Sequence, residues 1–194
     1  MPPSSSGGVT LAEALHMLEG FAIGDMEWHS PEHVHLLAEV WRRAYADRNR
    51  YLADPAFVKM PIETLTSRAY AAWRARDIDL SAATRSAGIQ AGVSAFLTEG
   101  THTTHVSIVD PQRNAVALTT TINSWYGSKV VVPGTGIVLN NDMDDFTAKV
   151  GAANQFGLVQ GEANAIAPRK RMLSAMSPTL VLDPEQRLAL VVGT

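Results

Sequence analysis

The sequence contains no cysteine, which excludes disulfides, thiolate metal centres and cysteine nucleophiles together. It has no apolar run near the ~18 to 20 residues that a membrane helix needs. Its opening "MPPSSSGG" lacks the basic and apolar regions of a signal peptide. Positive charge is also scarce: sixteen Lys and Arg stand against nineteen Asp and Glu, a formal net charge of −3. That balance supplies no field for nucleic acid or an anionic membrane and directs attention to a small-molecule or protein partner. His29, His33 and His35, or His102 and His105, are the candidates for a metal site, but they come without cysteines or an HExxH arrangement, so neither metal nor cofactor is expected. What the chain does have is enough apolar sequence for one core, with 194 residues, 46% hydrophobic and 18% charged.

The first part of the chain reads as helix. Thr10 and Glu13 fit a capping box, and Leu11, Ala14, Leu15 and Leu18 share a stripe, which predicts a helix over about 11–20. Ser30 followed by Pro31 is a second start signal, with Val34, Leu37, Trp41, Ala44 and Tyr45 at helical spacing as far as Leu52, where "DPAF" stops it. "SRAYAAWRAR", residues 67–76, predicts a third helix with Trp73 on its buried face. Residues 77–102 lose periodicity and read as a linker.

From Thr103 the pattern becomes strand. "THVSIV" alternates, "DPQRN" is a hairpin turn, "AVALTTTI" is β-rich, and "TLVLD" and "LALVV" flank a second turn at "PEQ". Helices followed by paired strands make an α+β fold in one globular body.

The change of pattern falls inside "THTTHVS", residues 101–107, which sets three threonines and two histidines at the strand start. A threonine in mid-chain is a modest nucleophile. If the chain were cut just before Thr103, the new α-amine, with an ordinary pKa near ~8, would be a built-in base beside its hydroxyl. Strand propensity alone also accounts for threonines here.

Three blocks decide between these readings: "TTHVSIVD" with "NAVALTTTIN", then "YGSKVVVPGTGIVLNNDMDDFTAK", then "RKRMLSAMSPTLVLD". In order and spacing they resemble the γ-glutamyltranspeptidase family, and "PPSSSGG" with the stretch from Val34 to Val58 is similar to that family's large subunit. The resemblance covers nearly the whole chain. It implies an N-terminal-nucleophile hydrolase, a precursor that cuts itself into two subunits and folds as an αββα sandwich, here as one incomplete domain. Residues 1–102 would be the end of the large subunit and 103–194 the start of the small one, with the cut between His102 and Thr103.

The resemblance also implies roles. Thr103, rather than Thr104, would be the nucleophile, with Thr121, eighteen residues on, bonding to it and Asn123 on the same strand face binding the substrate's α-carboxylate end. Asp145 would take the substrate ammonium. Asp142 stands where the family carries glutamate or glutamine, and Ser174 matches the first of a serine pair whose second member is here Ala175. Residues 149–164 resemble a lid with Phe156 at its tip, and Gly151, Gly157 and Gly161 suit a mobile cover. The implied substrates are glutathione and related γ-glutamyl compounds with an amine or water acceptor, and the implied location is periplasmic or secreted. The family's oxyanion-hole glycines and a carboxylate-binding arginine would lie outside residues 1–194, as in the middle of a longer protein. A non-catalytic fragment or degenerate relative, and a related acylase acting on β-lactam side chains, are the alternatives.

Overall fold

The computed structural model describes residues 1–89 and 103–193. The latter part of the expected linker, His102 and Thr194 lie outside the described residues. Four helices come first, α1 (Gly7–Leu18), α2 (Pro31–Tyr51), α3 (Ile62–Leu65) and α4 (Arg68–Ala75), and four strands follow, β1 (Thr103–Val109), β2 (Ala115–Thr121), β3 (Thr179–Leu182) and β4 (Leu188–Val192). The α+β reading holds.

The start of α2 is the one its sequence announces. The Ser30 hydroxyl accepts the His33 N–H at 3.2 Å and Pro31 occupies the first turn. Its buried stripe is displaced from the expected one. Leu36, Val40 and Ala44 are fully buried, with Ala14 and Met17 of α1 and Ala71 and Ala75 of α4 against them, whereas Val34 is 52% exposed. The same helix buries Glu39, Arg43 and Asp47, spaced one turn apart so that they share a face. Arg43 donates to Glu39 at 2.5 Å and to Asp77 at 3.0 Å, and Arg74 of α4 donates to Asp47 at 2.7 Å. Paired in this way, the charges are tolerated where isolated ones would not be.

Three further expectations are corrected. Helix α1 begins at Gly7, not near residue 11, and Ser6 rather than Thr10 is its cap. Glu13 turns inward beside Asp47 and is raised far above an ordinary carboxyl, first by burial and then by its hydrogen bond to Asp47, so it makes no capping box. Trp73 is 52% exposed, and its face of α4 points outward, because Ala71, Arg74 and Ala75 fill the inner face. Trp73 stacks on Tyr70 and lies under the Arg76 guanidinium. Residues 77–89 are also held more firmly than a linker. Arg42 donates to the Thr84 carbonyl at 2.8 Å and to the Ser86 hydroxyl at 3.0 Å, and Arg43 reaches the Thr84 hydroxyl at 3.2 Å.

The strands form two antiparallel hairpins, β1 with β2 and β3 with β4. Both turns use one device. Asp110 and Asp183 each accept, through a side-chain oxygen, the N–H of the residue four positions on, and Arg113 and Gln186 take the positive φ the turn requires. The hairpins touch where Ser107 donates to the Val191 carbonyl at 3.1 Å. The β1–β2 register pairs Val106 with Leu118 and Ile108 with Val116, and these four side chains are 43–57% exposed.

Candidate active site

The site is assembled from segments far apart in sequence. The β1–β2 register sets Thr103 directly opposite Thr121, as the single hairpin between them predicts. Two residues further on, His105 shares a 2.7 Å hydrogen bond with Thr119 and a 3.0 Å one with Ser107.

Asn123 does not continue the strand. Strand β2 ends at Thr121, and Asn123 sits at φ 71°, in the left-handed region that Asn tolerates. The expected shared strand face is therefore replaced by a turn in which the Thr121 hydroxyl accepts the Asn123 N–H at 2.9 Å. Asn123 is buried and donates to the Asn141 carbonyl at 3.2 Å. Asn141 in turn accepts the Ser124 N–H at 2.9 Å and donates to the Ser124 hydroxyl at 3.0 Å. The strand end is thus fastened to the "NNDMDD" block.

That block makes a 3-10 turn over Asp142–Asp145. Asp142 has a buried oxygen with no hydrogen-bond partner among the described residues, and burial raises its carboxyl above the ordinary range. Asp145 is half-buried and pushed up to about 7, by burial first and by the Asp142 carboxylate second, with the buried Arg48 guanidinium pulling the other way and Asp144 adding to the rise. Clustered carboxylates in a partly dry place suit an ammonium ligand, which would restore their ionised forms.

The loop around Phe156 is closed by its own polar groups. Asn154 accepts the N–H groups of Phe156 and Leu158, each at 3.0 Å, and Gly151 and Gly157 take positive φ. Gln155 ties it to the acidic turn and the strand end, accepting from the Ser124 hydroxyl and donating its N–H to Asp144, each at 3.0 Å. The structure therefore gathers Thr121, Asn123, the acidic turn and the Phe156 loop around Ser124 and Asn141.

Ser174 enters from another side. Its hydroxyl accepts the Met176 N–H at 3.2 Å, leaving its own proton available as a donor. The segment is locked by a parallel bridge between Ser5 and Ser174, by Arg171 on Asp54 at 2.7 Å, and by Asn164. Asn164 is 1% exposed, accepts the Leu173 N–H at 3.1 Å and donates to the Asp145 carbonyl at 2.7 Å. It connects the acidic turn to the serine segment. Asn164, Asn141 and Arg48 escape sequence reasoning because each acts through a backbone atom of a remote residue. The inward face of α2 is the one sign that Arg48 is not a surface cation.

Known proteins resemble this chain along its whole length. The family model for gamma-glutamyltranspeptidase matches residues 1–194. The glutathione hydrolase proenzyme of Pseudomonas sp. (strain A14) is 49% identical over 193 residues, 100% of this chain and 33% of that protein. That of Escherichia coli (strain K12) is 47% identical over 194 residues, with the same shares. The crystal structure of cephalosporin acylase from Bacillus halodurans superposes with a TM-score of 0.65 at 28% identity, over 90% of this chain and 28% of that one. The chain thus spans about a third of the length of the curated relatives it matches. Matched by that family model from end to end, the chain belongs to the gamma-glutamyltranspeptidase family.

Proposed function

We propose that these residues form the central part of a precursor that cuts itself between His102 and Thr103 and then hydrolyses or transfers γ-glutamyl amides such as glutathione. The observation that carries the reading is the convergence of Thr121, Asn123, the acidic turn and the Phe156 loop beside the strand position opposite Thr121, which is Thr103. Residues 1–102 are the end of the large subunit and 103–194 the start of the small one, within one incomplete domain. The two hairpins belong to the two sheets of an αββα sandwich, a reading supported by their pairing as separate sheets.

Chemically, the Thr103 hydroxyl attacks the γ-carbonyl carbon while its α-amine takes the proton. The C–N bond breaks, the departing amine receives that proton, and a threonyl ester remains. Water or an acceptor amine then attacks the ester and restores the hydroxyl. Asp145 and Asp142 hold the substrate ammonium, Asn123 and Ser174 its α-carboxylate end, and Phe156 covers it. No cofactor enters any step. The protein works in the periplasm or outside the cell.

The full-length precursor and its Thr103→Ala variant test this by intact mass and by turnover of a γ-glutamyl anilide. The expected result is two fragments, one beginning at Thr103, and activity that the substitution removes together with cleavage. An uncut active wild type, or a new N-terminus elsewhere, overturns the nucleophile assignment, and an uncut inactive one returns the degenerate-relative reading. A second reading, an acylase for β-lactam side chains, draws on the likeness to cephalosporin acylase and on Ala175 and Asp142. A cephalosporin bearing a dicarboxylic side chain, turned over faster than the anilide, would favour it.

A further inference from the structure

Arg48 is a charged group that the chemistry above leaves without a role. It lies on the inward side of α2 and is 3% exposed. Its Nε donates to the Ser6 hydroxyl at 2.9 Å, one Nη to the Asn49 side-chain oxygen at 2.9 Å, and the other to the Leu173 carbonyl at 3.4 Å. Ser6 passes this contact on, since its own hydroxyl and N–H both reach the Ser174 carbonyl at 2.8 Å. The guanidinium also rests over the Tyr45 ring, 5.5 Å from its centroid, and its positive charge favours the ionised form of Asp145.

We infer that Arg48 is a positioning residue that acts on two substrate contacts from beneath: Ser174, through Ser6 and Leu173, and Asp145, through its charge and through the Leu173–Asn164 link. This rests on the reading of Ser174 and Asp145 as ligands of the α-carboxylate and the ammonium. A fully buried cation is held only at a cost in hydration, so its place behind Ser174, and on the Leu173 backbone that Asn164 links to Asp145, needs a reason beyond packing. The charges facing Asp145 are Asp142 and Asp144 on its own turn and Arg48 from α2. Two of these push its proton on and Arg48 pushes it off. An Asp145 poised about 7 is ionised in only part of the molecules at neutral pH, and removal of the one facing cation lowers that part further. Three carboxylates against one guanidinium still leave the turn negative, so an incoming ammonium is attracted despite Arg48.

The test uses the full-length precursor with Arg48→Gln, Arg48→Lys, Ser6→Ala and Asp145→Asn, and reads kcat and KM for a γ-glutamyl anilide from pH 5 to 9. In Arg48→Gln the acid limb of kcat/KM moves upward by about one pH unit, which below the limb is roughly a tenfold loss, carried by KM, with self-cleavage intact. Arg48→Lys keeps the charge and the wild-type limb while KM rises from lost hydrogen bonds. Ser6→Ala raises KM at an unchanged limb. A limb unmoved in Arg48→Gln overturns the inference, and if that variant does not fold, a limb displaced in Arg48→Lys does so. Asp145→Asn separates the two readings: a wild-type KM and limb there would remove Asp145 from the site, whatever the Arg48 variants show.

Discussion

The hydroxyl and the N–H of Ser6 converge on one acceptor, the Ser174 carbonyl, at 2.8 Å each, although the two residues lie 168 positions apart. This contact fixes where α1 begins and where the serine segment runs. It therefore joins the first turn of the helical half of the chain to the segment that carries Ser174.

Gly7 shows how tight that junction is. A Cβ on Gly7 would stand 2.6 Å from the Ser177 Cβ and 2.7 Å from the Met176 carbonyl oxygen, neither of which is the end of a flexible side chain. Helix propensity alone would have Gly7→Ala stabilise by ~1 kcal/mol, whereas overpacking costs about 1–3 kcal/mol. The expected outcome is a lower urea midpoint for Gly7→Ala in the full-length protein at unchanged m-value. A raised midpoint would show that the junction yields.

Glu13 makes a pH-dependent contribution whose sign is opposite to that of a salt-bridged carboxylate. Its folded-state proton is held far above the ordinary value of 4.5, by burial and by Asp47, so the folded chain keeps a proton that the unfolded chain releases. Whatever stability it contributes is complete below pH 4.5 and is lost progressively as pH rises toward the raised folded value. Glu13→Gln is neutral at every pH and escapes that loss. The melting temperature of Glu13→Gln relative to wild type is expected to rise steadily from pH 5 to pH 9, and a constant difference would mean that Glu13 is ionised in the fold.

These two residues also mark the border of what the sequence discloses. Local devices are legible: Ser30 and Pro31 start α2, and the two Asp-Pro turns place all four strands, because their hydrogen bonds close within five residues. The motif blocks name the candidate site residues for the same reason of local pattern. The start of helix α1 is not legible because it is tied to Ser174 and not to a signal in its own first turn, and two glycines at a helix start argue against a helix locally. The displaced stripe of α2 has a related cause. A reading that sends charge to solvent places Glu39, Arg43 and Asp47 outside, while their partners Asp77 and Arg74 lie on other elements. Asn123 reads as a strand residue because nothing nearby announces the positive φ that turns it toward Asn141.

Ala175 offers a gain-of-function test of the serine segment. It is exposed beside Ser174, and if Ser174 holds the α-carboxylate as proposed, a second hydroxyl there faces the same ligand. A hydrogen bond to a charged carboxylate contributes about 1.5–3 kcal/mol. Ala175→Ser in the full-length protein is therefore expected to lower KM for a γ-glutamyl anilide roughly tenfold or more, with kcat little changed. An unchanged or raised KM would mean that the α-carboxylate lies elsewhere and would strengthen the acylase reading.

Residues 1–194 expressed alone are expected to show no γ-glutamyl hydrolysis or transfer above background, even with every candidate residue in place. The hairpins expose Val106, Ile108, Val116 and Leu118 on one face, and Leu180, Leu182 and Leu190 are about half exposed on the other hairpin. Apolar strand surface of this kind is covered in a stable fold or else drives association. The curated relatives are about three times as long as this chain, so they have the material to cover it. Attack by Thr103 also makes an oxyanion, and each donor aimed at that oxygen is worth ~2.7 to 4 kcal/mol of barrier. The resemblance to the family implies that such donors lie outside residues 1–194. Side-by-side assay of the segment and the full-length protein, with size-exclusion chromatography of both, decides the matter. Monodisperse segment with robust turnover, abolished by Thr103→Ala, would show that the exposed strand faces need no cover and that these residues suffice for catalysis.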